Sequence, residues 1–117
     1  MIGMATPDRG NPNVFTVFKG RYGVTLASGA SSTNSNVMLT CVNVVQLMGN
    51  YTADENGMIG TLPEGCRPLT PIYVPCYCTT ESSMQSVKVA ATGAITGKPG
   101  YLYNLAGCMF NISGNFY

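Results

Sequence analysis

Two prolines bracket a glycine in Leu62-Pro63-Glu64-Gly65-Cys66-Arg67-Pro68, and strand-like apolar runs flank them. Val42-Asn43-Val44-Val45-Gln46-Leu47 lies upstream and Pro71-Ile72-Tyr73-Val74-Pro75-Cys76 downstream. Each proline fixes φ near about −65° and donates no hydrogen bond. Gly65 accepts backbone angles closed to other residues. No helix passes through such a segment. Its instruction is strand, stiff corner, strand, and it carries no visible chemistry. Arg67 is expected to be structural, its guanidinium meeting carbonyls that the prolines leave unpaired.

The rest of the chain reads as further short strands. Val14–Phe18 is a β-type run, Lys19-Gly20 marks a turn, and Tyr22 to Ala27 alternates as a second strand. Residues 28–36 form a loop of small polar residues. Val37 to Thr52 is strand-like for longer than one ordinary strand, with a break or bulge expected near Gly49. Asp54-Glu55-Asn56-Gly57 is a turn in which Asn-Gly offers the two positive-φ positions of a hairpin. Met58 to Leu62, Ile72 to Thr79, Met84 to Ala91, Ala94 to Thr96, Tyr101 to Tyr103 and Gly107 to Tyr117 are the remaining strands. Pro71 and Pro75 place the Ile72–Thr79 strand at an edge or after a bulge. Leu47-Met48-Gly49-Asn50-Tyr51 echoes Ile112-Ser113-Gly114-Asn115-Phe116, which are either paired edges of one sheet or unrelated strand ends. No segment shows a 3.6-residue apolar period. The expectation is an all-β antiparallel sandwich, jelly-roll-like, over residues 14–117, preceded by an irregular lead-in or linker end at 1–13.

Charged residues make up only 9 % of the chain, against about 25 % in ordinary globular domains. Asn, Ser, Thr and Gly must therefore supply the polar surface. A weakly charged β-domain is poorly protected against association. Burial of that surface in a symmetric oligomer is one outcome; an amide- and hydroxyl-rich monomer is the other. The six basic residues are scattered, whereas nucleic-acid binding needs them concentrated. No apolar run approaches the roughly 18–20 residues of a membrane helix. Met1–Met4 carries neither the basic region nor the apolar core of a signal peptide. The five cysteines are accordingly expected as free thiols. Cys76 and Cys78 share a face if extended, as core residues or as half of a metal site. No Cys-x-x-Cys pair and no histidine accompany them, so neither a metal nor another cofactor is expected.

The absence of histidine removes the commonest general base. The acidic residues are Asp8, Asp54, Glu55, Glu64 and Glu81, and Asp54 and Glu55 point apart on an extended chain, a poor dyad for glycoside hydrolysis. The expectation is a non-enzyme. Seven tyrosines offer flat apolar faces with a polar edge, the chemistry that holds a sugar ring. Tyr101 and Tyr103 stand beside a Gly/Pro loop and next to Asn104. Together with the acceptors Asp54 and Asn56 from the other loop, they form the candidate ligand site, completed within one subunit or across a boundary between copies. The alternative is that these tyrosines pack in the core or at a subunit interface.

Residues 37–117 also resemble the C-terminal head domain of bacteriophage tail fibres and receptor-binding proteins. The resemblance rests on Val44-Val45-Gln46-Leu47 with Gly49, Tyr51 and Thr52, on the Leu62–Pro68 corner, on the Val87–Ile95 hairpin, and on the ending Ile112–Phe116. Where the family commonly has an aromatic between Gly and Arg of the corner, this chain has Cys66. The resemblance implies a homotrimer at the tip of a fibre, joined to an upstream fibre or baseplate protein and located in the virion. It implies recognition of a host cell-surface saccharide without catalysis. Receptor contacts in such heads vary, so no binding residue is carried over. A structural trimerising module that binds no receptor is the alternative.

Overall fold

The computed structural model describes residues 18–40 and 43–112, which form twelve strands and no helix. A four-stranded sheet has the order β1 (Phe18–Gly23), β4 (Asn36–Thr40), β5 (Val44–Leu47), β12 (Met109–Asn111). An eight-stranded sheet runs β2 (Thr25–Leu26), β7 (Met58–Thr61), β10 (Ala94–Thr96), β9 (Ser83–Val89), β8 (Ile72–Cys78), β11 (Leu102–Asn104), β6 (Asn50–Thr52), β3 (Ser31–Ser32). Every pairing is antiparallel. The end strands β2 and β3 are joined by a turn in which Ala30 N–H donates to the Ala27 carbonyl (2.9 Å). The large sheet therefore curls almost into a barrel. The all-β, sandwich-like architecture expected from the sequence is present, in two unequal sheets.

Alternation along the strands builds one core. Val37, Leu39, Val45, Leu47 and Phe110 come from the small sheet; Tyr51, Ile59, Val74, Val87, Val89, Ile95 and Tyr103 come from the large one. A fully buried Val, Leu or Ile contributes roughly 1.5–3 kcal/mol, so this cluster is the main stabilising element. Cys66, Cys76 and Cys78 are buried in it as free thiols, and Cys108 is half-buried and also free. Burial raises the Cys66, Cys76 and Cys108 thiols, Cys76 to about 11.

At the proline corner, Cys66 N–H donates to the Pro63 carbonyl (3.1 Å) and Gly65 takes φ 96°, the positive-φ position the turn requires. Arg67 Nε donates to the Leu62 carbonyl (2.9 Å). Leu62 N–H in turn donates to the Gly93 carbonyl (2.9 Å), and the Arg67 stem lies over the bare Cα of Gly93. The arginine thus ties the corner to the β9–β10 turn, in the structural role expected of it.

Several boundaries differ from the sequence reading. The Tyr22–Ala27 strand is cut at Val24, where the chain leaves the small sheet for the large one. Lys19-Gly20 is not a turn: the register of β1 against β4 shifts between Phe18 and Gly20, a bulge within the strand. Val37–Thr52 is three strands. Asn43 sits at φ 64° and donates to the Thr40 carbonyl (3.1 Å), reversing β4 into β5. The break expected near Gly49 is real and marks the passage of β6 into the other sheet. Residues 28–36 contain β3 and the first residue of β4. In the 54–57 turn only Gly57 has positive φ (85°), so the two-position hairpin expected of Asn56-Gly57 is not formed. β8 is an edge strand for five of its seven residues: Ile72–Cys76 pairs with β9 alone, whereas Tyr77 and Cys78 also pair with β11. Pro75 lies in the open part. β12 begins at Met109 rather than Gly107 and pairs with β5. The lead-in at 1–13, most of the Val14–Phe18 run, Cys41 among the five expected free thiols, and Ser113–Tyr117, which hold most of the second half of the echo and the end of the last expected strand, lie outside the described residues.

Candidate functional site

The turn after β6 is organised by one side chain. Asp54 Oδ1 accepts from the backbone N–H of Asn56 (2.8 Å) and of Met58 (2.8 Å), the local bonding that makes Asp a turn former. Gly57 N–H donates to the Asp54 carbonyl (3.0 Å). Gly57 is buried at positive φ, and a Cβ there would run into the Gly97 carbonyl oxygen. This position admits only glycine because a second loop lies directly on it.

That second loop is the Gly97–Tyr101 segment. Gly97 N–H donates to the Gly57 carbonyl (2.8 Å), Gly100 N–H to the Asp54 carbonyl (3.0 Å), and Ala53 N–H to the Tyr101 carbonyl (3.0 Å). The two loops singled out in the sequence are therefore stitched together by backbone within a single chain. On the other side of Asp54 lies the Ser28-Gly29 turn, held by Ala27 N–H donating to the Ile59 carbonyl (3.0 Å). Ser28, Gly29, Asp54, Glu55 and Asn56 line an open depression of about 590 Å³. Among the described residues nothing hydrogen-bonds the second Asp54 carboxylate oxygen. The residues lining the depression carry two carboxylates, at Asp54 and Glu55, the Asn56 amide and the Ser28 hydroxyl. These groups accept from, or donate to, the hydroxyls of a polyhydroxylated ligand.

The aromatic candidates separate. Tyr101 is half-buried, and its hydroxyl donates to Glu81 Oε2 (2.9 Å). That bond to a carboxylate is the main reason its hydroxyl is held protonated above the ordinary range. Lys98 Nζ stands 5.6 Å from its ring centroid, a cation–π arrangement. Tyr103 is fully buried. Its hydroxyl accepts from Lys98 N–H (2.7 Å), and burial, partly offset by that donor, raises its pKa. Its ring centroid is 6.4 Å from that of Tyr101. Tyr103 thus supports the 97–101 loop from beneath, its ring fully within the core and away from the depression. Tyr51, opposite it on β6, is equally buried. The Tyr51 hydroxyl makes no hydrogen bond of good geometry, although the Ser32 hydroxyl lies near enough to offset part of the upward shift that burial imposes.

Asn104 does not join the cluster. It is exposed at the far end of β11, opposite Asn50 and Tyr77, and its Oδ1 accepts from Ala106 N–H (3.1 Å). Asp54, Asn56 and the backbone of Tyr101 are brought together. Ser28, Gly29 and Glu81 lie outside the two segments singled out in the sequence; Lys98 lies within the Gly97–Asn104 segment but was not named as a contact residue. Ser28-Gly29 carried only a turn signal; its approach depends on the pairing of β2 with β7, which no local pattern encodes. Among the described residues no cluster of three or more metal-ligating side chains occurs, and no helix is long and apolar enough to cross a membrane. No family model, curated protein or solved structure matches the chain.

Proposed function

We propose that this chain is a non-catalytic recognition domain of the kind that forms the head of bacteriophage tail fibres. In this reading it binds a saccharide on the host cell surface during adsorption. It acts as a homotrimer in the virion, attached to an upstream fibre or baseplate protein. The observation that carries the proposal is the open depression between the 54–57 turn and the Ser28-Gly29 turn, whose lining residues carry carboxylate, amide and hydroxyl groups. The 97–101 loop holds the 54–57 turn in place by backbone hydrogen bonds and does not line the depression. Such a lining suits sugar hydroxyls, and the resemblance of residues 37–117 supplies the biological setting. A glycan array probed with the full chain tests it. Asp54→Asn keeps an Oδ1 acceptor for the turn and replaces the free carboxylate oxygen with an amide. The expected result is binding without product release, weakened about tenfold or more by Asp54→Asn with the fold unchanged. Full binding by Asp54→Asn would move the site elsewhere, and release of shortened glycan would make the protein an enzyme.

The second reading is a structural fibre-tip or baseplate module that assembles without binding a receptor. A concentration of exposed apolar side chains around β8 favours it. Silence on the array from a correctly assembled protein is its signature.

A further inference from the structure

Five of the six large apolar side chains that stand exposed among the described residues gather around β8. Tyr73 (68 % exposed) and Tyr77 project from its outer face with exposed Pro75 between them. Met84 (67 % exposed) faces Tyr77 across the β8–β9 pair. Leu69 lies in the segment entering the strand. Met109 follows Cys108, whose thiol donates to the Pro75 carbonyl (3.3 Å). Strand parity explains the outward row: Val74, Cys76 and Cys78 fill the core, so their neighbours must face away. Lys88, opposite Tyr73, is the only charged residue of the two strands.

We propose that this face is the surface on which copies of the chain pack against one another. The inference rests on the oligomeric reading above and names the part of the molecule that carries it. Taking roughly 200 Å² for each fully exposed large side chain, Tyr73, Tyr77 and Met84 offer roughly 350 Å² on the β8–β9 face itself, and Leu69 and Met109 beside it bring the total around β8 to roughly 600 Å². A standard interface takes about 800 Å² from each partner, so this region supplies a large part of one interface core. Tyr and Met are enriched in such cores and charged residues depleted, which is the composition here. An exposed apolar patch of a few hundred Å² on one face of a small domain is of the size that marks interaction sites. Packing is by faces rather than by strand addition. The open edge of β8 spans Ile72–Cys76, and Pro71 and Pro75, which cannot donate to an added strand, guard it. A second copy is the fitting partner because the face carries a single charge and so calls for no oppositely charged surface.

The test is sedimentation velocity on the full chain at micromolar concentration, with Tyr73→Glu/Met84→Glu as the variant. Ala91→Glu, in an exposed turn outside the face, is the control. Both substituted side chains of the variant point to solvent, so circular dichroism should report an unchanged sheet. The expected result is an oligomer for wild type and control, and at least a tenfold weaker association for the variant. A second measurement needs no variant: peroxide oxidation of wild type, read by peptide mass, should slow at Met84 and Met109 as protein concentration rises. An oligomer that survives the double substitution overturns the proposal. So does a monomeric wild type, or oxidation at those methionines that is independent of concentration. Saccharide binding is read separately. An assembled wild type that binds no glycan defeats the recognition reading and leaves this surface standing. Loss of glycan binding in Tyr73→Glu with no change of mass makes the face a ligand surface instead.

Discussion

Replacing Arg67 tests how the proline corner is held. Two contributions are lost in Arg67→Ala. The first is the charged donor on the Leu62 carbonyl at 2.9 Å, on a residue whose side chain is fully buried. Hydrogen bonds to charged groups are worth about 1.5–3 kcal/mol. The half-exposed position of the guanidinium and its screening by water place this one toward the bottom of that range, at about 1–2 kcal/mol. The second is the stem, which packs over Gly93. At about 0.8 kcal/mol per buried methylene, half burial of the two methylenes that alanine lacks, Cγ and Cδ, adds about 0.8 kcal/mol. Arg67→Ala should therefore cost about 2–3 kcal/mol. Arg67→Met, which keeps most of the stem and loses the donor, should cost about 1–2 kcal/mol. For a domain of this size each kcal/mol lowers Tm by roughly 3–6 °C, so the alanine variant should melt roughly 6–18 °C below the parent. Melts followed by circular dichroism at one fixed protein concentration read this directly, since any oligomer makes Tm concentration-dependent. An Arg67→Ala protein that melts with the parent refutes the structural assignment. If it also loses saccharide binding, Arg67 is a contact residue and the clamp is incidental.

Gly57→Ala should destabilise by about 2–4 kcal/mol, because a Cβ at positive φ costs about 1–2 kcal/mol and this one also meets the Gly97 carbonyl, so the Gly97–Gly57 hydrogen bond must open; denaturant melts check the cost, and a near-neutral variant would mean that the two loops separate freely. Stability should fall at high pH. Burial raises the Cys66, Cys76 and Cys108 thiols above their unfolded value of 9.0, Cys76 to about 11. A raised folded pKa gives a contribution that is complete below the unfolded pKa and is lost as pH climbs through the folded one. Tm should thus be flat below about pH 8 and drop between about pH 9 and 11, and Cys76→Ala should flatten part of that drop.

The strand content was legible because turn chemistry was local. Asp54-Glu55-Asn56-Gly57, Thr92-Gly93 and the Pro63–Pro68 corner each carry their backbone angles in their own residues. The Thr40–Asn43 reversal carried no such mark. It has neither Gly nor Pro, and its positive φ falls on Asn43, one of the few side chains that tolerate it. The passages at Val24 and Gly49 were hidden for another reason. Alternation tells which side chains face the core, and a strand moving from one sheet of a sandwich to the other keeps its inward side chains inward. The pattern runs on unbroken while the hydrogen-bonding partner changes. Pro75 shows a partial success: its missing donor does leave one edge of β8 open, but the strand finds β11 two residues later.

The candidate site was legible where a residue organises its own turn and obscure where its neighbours arrive from afar. Asp54 could be read from spacing; Gly97, forty positions from the Gly57 carbonyl it bonds, could not. The tyrosines make the point most sharply. Tyr101 and Tyr103 are two apart, so a strand through both would give them one face and one fate. β11 begins at Leu102, so Tyr101 lies before the strand and the parity rule does not reach it. One ring ends half in solvent and the other in the core. Tyr73 and Tyr77 are the converse. They lie within β8 with Cys76 and Cys78, whose burial was expected from the sequence. Once those two thiols face the core, the odd-numbered residues of the strand must face outward. Two exposed tyrosines and a proline on one face follow from the cysteines alone. The side chains most available for contact in this region are therefore fixed by the ones least available.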